Sequence, residues 1–344
     1  MKLAKRILVA GMAVVGVLVI VACGFYFSKL NLLQFNDGTL VEGGTIDDNE
    51  EEVLDDQAAM ENATQGLAEK EIIAAEGEIF ADDDVFNILL IGTDERTAQF
   101  NTNARGDSCM ILSLNKKDGS ARLVSLERGM GVPVLKAGYE GQYDWFTHTF
   151  RYGGADLMMK EVRECLKVDV HHYVRVNFNT FQQGIEAIGG IDVELTAKEA
   201  EYVNTYLRKR GGYEMLSAGM NHLDGYGAIT YARCRKIDSD WRRIERQRNV
   251  VQAAVNKTQD LSVKELNNLL NEVLPLVQTN LTQSEITSLL LIAPRYRGVD
   301  MQQMTIPVDG TFGSMTGMGG RTLFAVDFSA NAKILQDFLY GTEE

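Results

Sequence analysis

The sequence predicts an α/β fold: a mixed central sheet flanked by helices (α-β-α), preceded by one transmembrane helix. Three observations predict it. Short apolar runs alternate with amphipathic stretches from Val85 onward, the pattern of strands covered by helices. An uninterrupted apolar run of bilayer-spanning length lies near the N-terminus. A strongly acidic stretch with little periodicity separates the two.

The apolar run is "ILVAGMAVVGVLVIVACGFYF", Ile7 to Phe27. Lys2, Lys5 and Arg6 precede it, which keeps residues 1–6 in the cytoplasm and sends the rest of the chain outside. It is longer than the apolar region of a signal peptide, and no small-x-small cleavage site clearly follows it, so residues 7–27 read as an uncleaved anchor. Ile20-Val21-Ala22-Cys23 also fits a lipoprotein signal, which would lipidate Cys23. The apolar "GFYF" after the cysteine favours the membrane helix. Both readings tether the chain to a cell membrane.

Residues 28–84 read as an acidic extracytoplasmic stalk, with "DDNEEEVLDD" and "EGEIFADDD" as its charge runs and a short helix expected within Ala58 to Ala75. Residues 85–344 read as one folded domain without internal repeats. Its strands begin with "VFNILLIGTD", "SCMILSLN" and "ARLVSLE". Asn115 to Gly119 offers hairpin-turn chemistry between the second and third. "ADLMMKEVRECL" has helical spacing, "HHYVRVNF" alternates as a strand, and "NTFQQGIEAIGG" reads as a helix capped by Asn179 or Thr180 and stopped by Gly189-Gly190. "IDVEL" and "MQQMTIPV" read as strands; Val263 to Ile292 and Asp327 to Leu339 read as largely helical.

A formal net charge of -14 argues against a nucleic-acid binder. Four cysteines without C-x-x-C spacing suggest neither a zinc site nor a redox dithiol, and four histidines argue against an imidazole metal site or a Ser-His-Asp triad. Three cysteines lie outside the membrane and allow at most one intramolecular disulfide; Cys234 reads as a small buried side chain.

Against this acidic background, "YARCRKIDSDWRRIERQRNV" gathers six arginines. Ala228 to Arg235 reads as extended, placing Arg233 and Arg235 on one face. A helix is expected from Asp240 to about Lys257, with Asp240, Arg243 and Gln247 on one stripe and Ile244, Val251 and Val255 on its buried face. Planar guanidiniums suit phosphate oxygens, so Arg233, Arg235 and Arg243 form a candidate anion site. Arg242, Arg246 and Arg248 read as an ion-pair network on a solvated face. In the loop "GTDERTAQFNTNARGDS", Asp94 and Asp107 are candidates to share a magnesium ion, and Arg105 stands two residues before Asp107. Arg128 ends the third strand within reach of the same mouth, and the "RGD" in the loop reads as a chance tripeptide.

In serial order, "NILLIGTDER", "ARGDSCMILSLN", "ARLVSLERG", "YGGADLMMKEVRECL" and "LDGYGAITYARCRKIDSDWRRIERQRNVV" resemble the LytR-CpsA-Psr family of bacterial cell-envelope proteins. The resemblance is strong from Val85 to Lys257. It implies a deep apolar channel for a polyprenyl chain. It also implies a magnesium-dependent phosphotransferase that moves an anionic or capsular glycopolymer (teichoic acid, capsule) from undecaprenyl pyrophosphate to peptidoglycan, in a Gram-positive type envelope. Carried over by motif, Asp94 and Asp107 resemble the metal residues. Arg105, Arg128, Arg233, Arg235, Arg243 and Gln247 resemble the pyrophosphate-binding set, and Arg105, Arg128, Asp240 and Arg243 the catalytic one. Asp107 and Asp240 are the carboxylates available as a base. One departure stands out. The family's Pro-Arg-Asp is replaced by Glu127-Arg128-Gly129, so the arginine survives without the following carboxylate. Glu127 would share that carboxylate's face, displaced along the strand. Two other readings stay open: a polyprenyl-pyrophosphate phosphatase, and a non-catalytic envelope regulator that binds polyprenyl lipid.

Overall fold

The computed structural model describes residues 34–35, 50–95, 100, 104–211, 215–235, 237–259, 265, 269, 271–296 and 298–341. The expected anchor at 7–27 and the first part of the expected stalk lie outside the described residues. Among the described residues no helix is long and apolar enough to cross a membrane.

In chain order the elements are β1 (Gln34–Phe35), α1 (Glu50–Thr64), β2 (Val85–Thr93), β3 (Ser108–Asn115), β4 (Ala121–Leu126), β5 (Gly131–Pro133), β6 (Tyr143–Trp145) and α2 (Phe146–Leu166). They continue with β7 (His172–Asn177), α3 (Phe178–Ala187), β8 (Ile191–Leu195), α4 (Ala197–Lys209), β9 (Gly219–Leu223), α5 (Gly225–Ala232) and α6 (Asp240–Gln259). The last are β10 (Gln278–Thr279), α7 (Gln283–Ile292), β11 (Gln302–Ile306), β12 (Phe312–Thr316), β13 (Thr322–Val326) and α8 (Phe328–Tyr340).

Seven strands form the central sheet in the order β1-β10-β7-β2-β3-β4-β11. β2, β3 and β4 are antiparallel neighbours, whereas β7 runs parallel to β2 and β11 parallel to β4, so the sheet is mixed as expected. Strand alternation divides the two faces. Leu89, Ile91, Ile111 and Val124 point to one face, where they pack with Met158 and Val162 of α2 and Leu335 and Leu339 of α8. Leu90, Met110 and Leu112 point to the other, toward Val251 of α6. Each fully buried aliphatic side chain contributes about 1.5–3 kcal/mol to this three-layer arrangement.

"IDVEL" forms a strand as expected, paired with β9 in a separate two-stranded sheet. The helix expected at Ala155–Leu166 forms, and α2 adds an earlier helical stretch from Phe146, joined to it across non-helical Gly153 and Gly154. Several sequence expectations need correction. α3 is capped by Asn177, whose side chain accepts from the Thr180 N–H. Residues 50–84 are not wholly a solvated stalk: Asp56, Met60 and Thr64 are buried against the domain. Glu69, Ile73 and Phe80 then make single bridges to Ser314, Asp327 and Val168. The folded body therefore begins before residue 85. Val255, expected on the buried face of α6, is 37% exposed. Cys109, Cys165 and Cys234 are free and buried.

Glu161 of α2 is fully buried, and its Oε1 accepts from the Leu135 N–H at 2.7 Å while Oε2 has no partner. Burial raises its pKa to about 8. The folded state therefore holds a proton that the unfolded chain has released, between the ordinary glutamate range and pH 8. Stability is fullest below that ordinary range and falls as pH rises toward 8. Glu161→Gln should flatten this slope, raising the urea midpoint at pH 8 relative to wild type but not at pH 4. An unchanged slope would refute the assignment.

Candidate active site

α6 builds one side of the site. Asp240 lies in its first turn, Arg243 one turn on and Gln247 a further turn on, the spacing that puts all three on one stripe. Asp240 Oδ2 accepts from Arg243 Nη2 at 3.0 Å and from Arg128 Nε at 3.1 Å. Gln247 Oε1 accepts from the Ser108 hydroxyl at 3.1 Å, tying the helix to the start of β3.

The segment between β2 and β3 supplies the facing groups. Asp94 accepts from both the Arg105 backbone N–H (2.9 Å) and its Nε (3.0 Å). Asp107 lies 3.9 Å from Arg105, 4.0 Å from Arg128 and 3.6 Å from Arg235. The "RGD" tripeptide faces inward: Arg105 is 5% exposed, and a Cβ at Gly106 would sit 3.0 Å from the Met158 thioether.

Ala228 to Ala232, expected as extended, belongs to helix α5, because Asp224 caps its N-terminus through the Gly227 N–H. An apolar run buried all round carries no periodicity that separates helix from strand. Arg233 is the C-cap of α5, and its guanidinium stacks 4.2 Å over the Phe178 ring. Arg235 reaches the cluster at Asp107. The two still line one cavity, though not through a shared strand face.

Sequence reasoning missed Asp56. From α1 its Oδ1 lies 2.7 Å from Arg235 Nη1 and 3.0 Å from Arg128 Nη1, and its Oδ2 lies 2.7 Å from Arg105 Nη1. Within the acidic run nothing marked it apart from its i, i+4, i+8 spacing with Met60 and Thr64.

Arg246, expected at the surface, is buried and pairs with Glu199, Asp238 and the Cys234 carbonyl, fastening α6 to α4. Arg242 is exposed and pairs with Glu245. Arg248 donates to Ser125 and Gln303 at the sheet edge. None of the three lines the cavity.

The electrostatics follow from burial. Burial raises the Asp107 and Asp240 carboxyls, but the surrounding arginines outweigh it and hold both below the usual range. Burial, helped by the Asp107 charge, raises Asp94. Burial lowers Arg243 to about 10, so it stays charged near neutrality. Arg128 is 4% exposed, and neither of its terminal nitrogens makes an aligned hydrogen bond; Arg243 Nε likewise has no partner. Buried donors left unmade are costly. Glu127 is raised to about 8 by burial and by Asp240; it accepts from the Gly129 N–H and does not line the cavity, so it is no stand-in for the missing carboxylate.

Asp56, Asp94, Arg105, Asp107, Arg233, Arg235, Arg243 and Gln247 line one end of a cavity of about 390 Å³, whereas Arg128 and Asp240, expected at the same site, do not line it and pair instead with the lining Asp56 and Arg243. Across β3, β2 and β7, Met110, Leu90 and Val174 stand in register, and Ser108, Gly92 and Val176 form the next row toward Asp94. The floor thus changes from apolar to polar along β2, over about 3.3 Å per residue. Phe181, Ile229 and Val251 roof the apolar part. An apolar floor ending in clustered guanidiniums defines the class: a three-layer α/β protein with one cavity that is apolar at one end and charged at the other.

The chain belongs to the LytR_cpsA_psr family, whose profile matches residues 50–337. It is 31% identical over 225 residues to the polyisoprenyl-teichoic acid–peptidoglycan teichoic acid transferase TagT of Bacillus subtilis, covering 64% of this chain and 68% of the relative. It is 31% identical over 250 residues to the corresponding TagU of Oceanobacillus iheyensis, covering 70% of this chain and 72% of the relative. Among solved structures it is similar to YwtF (TagT) with bound octaprenyl pyrophosphate lipid, at 25% identity and a TM-score of 0.55, covering 78% of this chain and 99% of that one.

Proposed function

We propose that this protein is a membrane-anchored phosphotransferase that moves an anionic glycopolymer from a polyprenyl pyrophosphate, undecaprenyl pyrophosphate in the cell, to peptidoglycan at the outer face of a Gram-positive type membrane. The observation that carries this is the cavity, whose apolar floor leads into arginines contributed by three separate stretches of chain. Homology to enzymes named as teichoic acid transferases supports teichoic acid as the polymer class.

In this reading the prenyl chain lies along Leu90, Met110 and Val174, and the diphosphate among Arg105, Arg128, Arg233, Arg235 and Arg243. An acceptor hydroxyl oxygen attacks the phosphorus that bears the glycan. The bond from that phosphorus to the bridging oxygen breaks, and the lipid leaves as polyprenyl phosphate. The arginines stabilise the charge that grows on the bridging oxygen. Asp240 holds Arg128 and Arg243 in place through its shared Oδ2. Asp107 and Asp240, being held below the usual carboxylate range, are weak proton acceptors, so the hydroxyl proton passes to water at the cavity mouth.

Asp94 and Asp107 fit a magnesium ion. One guanidinium bridges the two carboxylates: Arg105 lies 3.0 Å from Asp94 through Nε and 3.9 Å from Asp107 through Nη2, so both face a single cationic position. Among the described residues no group of three His, Cys, Asp or Glu side chains is placed to hold a metal. Two carboxylates completed by water and phosphate oxygens suit this hard ion. When bound, magnesium would supply further positive charge at the diphosphate. Arg105, which now occupies Asp94, would have to yield to it.

The test is a reaction containing the full chain, magnesium, a polyprenyl-pyrophosphate-linked glycan and peptidoglycan. A glycan–peptidoglycan adduct with equal release of polyprenyl phosphate is expected. Phosphate release without adduct would indicate a phosphatase, and tight lipid binding without product would indicate a regulator. Ile229→Trp, which fills the apolar part, should raise KM for the long-chain donor about tenfold, equivalent to about 1.4 kcal/mol. Inhibition by inorganic pyrophosphate should stay unchanged; a parallel loss of both would argue against the assigned lipid path.

A further inference from the structure

We infer that α1 is an inhibitory element: the Asp56 carboxylate holds the place of a donor phosphate among Arg105, Arg128 and Arg235, and the diphosphate enters only as α1 withdraws. This deepens the diphosphate reading above and rests on it.

Three observations carry it. The first is geometry. Asp56 is 2% exposed, lines the cavity and places both oxygens on guanidiniums from three separate parts of the chain. Carboxylate and phosphate present the same oxygen pattern to a guanidinium fork, so either can fill the position. The second is charge. Arg105, Arg128, Arg235 and Arg243 are matched in number by Asp56, Asp94, Asp107 and Asp240, which pair with them. Arg233 is the fifth arginine of the diphosphate set, so with Asp56 in place the set keeps a single net positive charge. Removal of Asp56 frees one positive charge and the three nitrogens it now occupies.

The third is how α1 is held. Among the described side chains of α1, Asp56, Met60 and Thr64 are buried, one stripe in which Met60 is the large apolar group, and Ala63 packs partly against the core. Met60 in its present rotamer lies over Gly129: an ideal Cβ there would sit 2.4 Å from the Met60 sulfur, so a side chain at 129 would move the end of Met60. The ion pairs of Asp56 tie this stripe to the site, and a diphosphate competes for the same nitrogens.

The experiment is calorimetric titration of the full chain in detergent with inorganic pyrophosphate and magnesium. Asp56→Ala and Asp56→Asn should both bind at least tenfold more tightly than wild type. Equal or weaker binding by the variants overturns the inference. If wild type and both variants show no binding, the diphosphate reading falls with it. If all three bind equally while Arg243→Ala does not bind, only the role of α1 falls. Hydrogen exchange on the wild-type chain gives a readout that needs no variant. Added pyrophosphate should strip protection from the amides of residues 50–64 while protecting those of α6. Unchanged or increased protection of α1 refutes its withdrawal.

Discussion

Replacement of Arg243 by alanine is expected to lower glycan transfer by about 10²–10³-fold, the usual cost of a lost donor at a developing anion. The side chain is 2% exposed, and its Nη2 is engaged by Asp240 while its Nε has no partner. Truncation removes a fixed positive charge and leaves Asp240 with Arg128 as its remaining close pair. Breaking a buried pair of this kind also costs stability, about 3–5 kcal/mol. The thermal midpoint should therefore fall together with activity. Arg243→Lys separates the two effects. It keeps the charge and much of the stability but loses the planar fork, so turnover should recover only in part. Full activity in Arg243→Ala, with the variant folded, would remove this residue from the site.

Asp107→Asn is the second large effect. The shape is kept and the charge is lost. Four arginines hold the Asp107 carboxyl ionised against its burial, which marks it as a strongly anionic point in a dry place. If Asp107 shares magnesium with Asp94, the amide should cut transfer by about 10²-fold or more, a few kcal/mol of lost charge stabilisation. The magnesium concentration for half-maximal rate should rise. The Asp94 carboxyl, no longer raised by a neighbouring charge, should titrate lower than in wild type. Transfer that falls without any change in magnesium dependence would assign Asp107 to holding arginines alone.

Local signals in the sequence were strong where one element carries several site groups. The i, i+3, i+7 spacing of Asp240, Arg243 and Gln247 needs only helical geometry, and the helix forms as expected. The apolar runs of β2, β3 and β4, with turn residues between the last two, fixed the sheet centre in the same way. Two kinds of feature were not legible. The first was backbone state in a run buried on all sides: Ala228 to Ala232 is apolar enough for either strand or helix, and the Asp224 cap decided it. The second was pairing across long sequence separation. Arg246 looked like any arginine on a charged helix until α4 brought Glu199 beside it. Asp56 looked like any carboxylate in an acidic stretch until α1 folded back 49 residues onto Arg105. Gly129 was legible as a missing carboxylate but not as the space that Met60 fills.

The central claim is that one cavity holds the lipid by its apolar floor and the diphosphate by its arginines. A crystal of the chain with a polyprenyl pyrophosphate tests it most directly. The account predicts phosphate oxygens within hydrogen-bond distance of Arg128, Arg235 and Arg243, with isoprene units over Leu90, Met110 and Val174. Lipid density elsewhere, or phosphates away from these arginines, would contradict it.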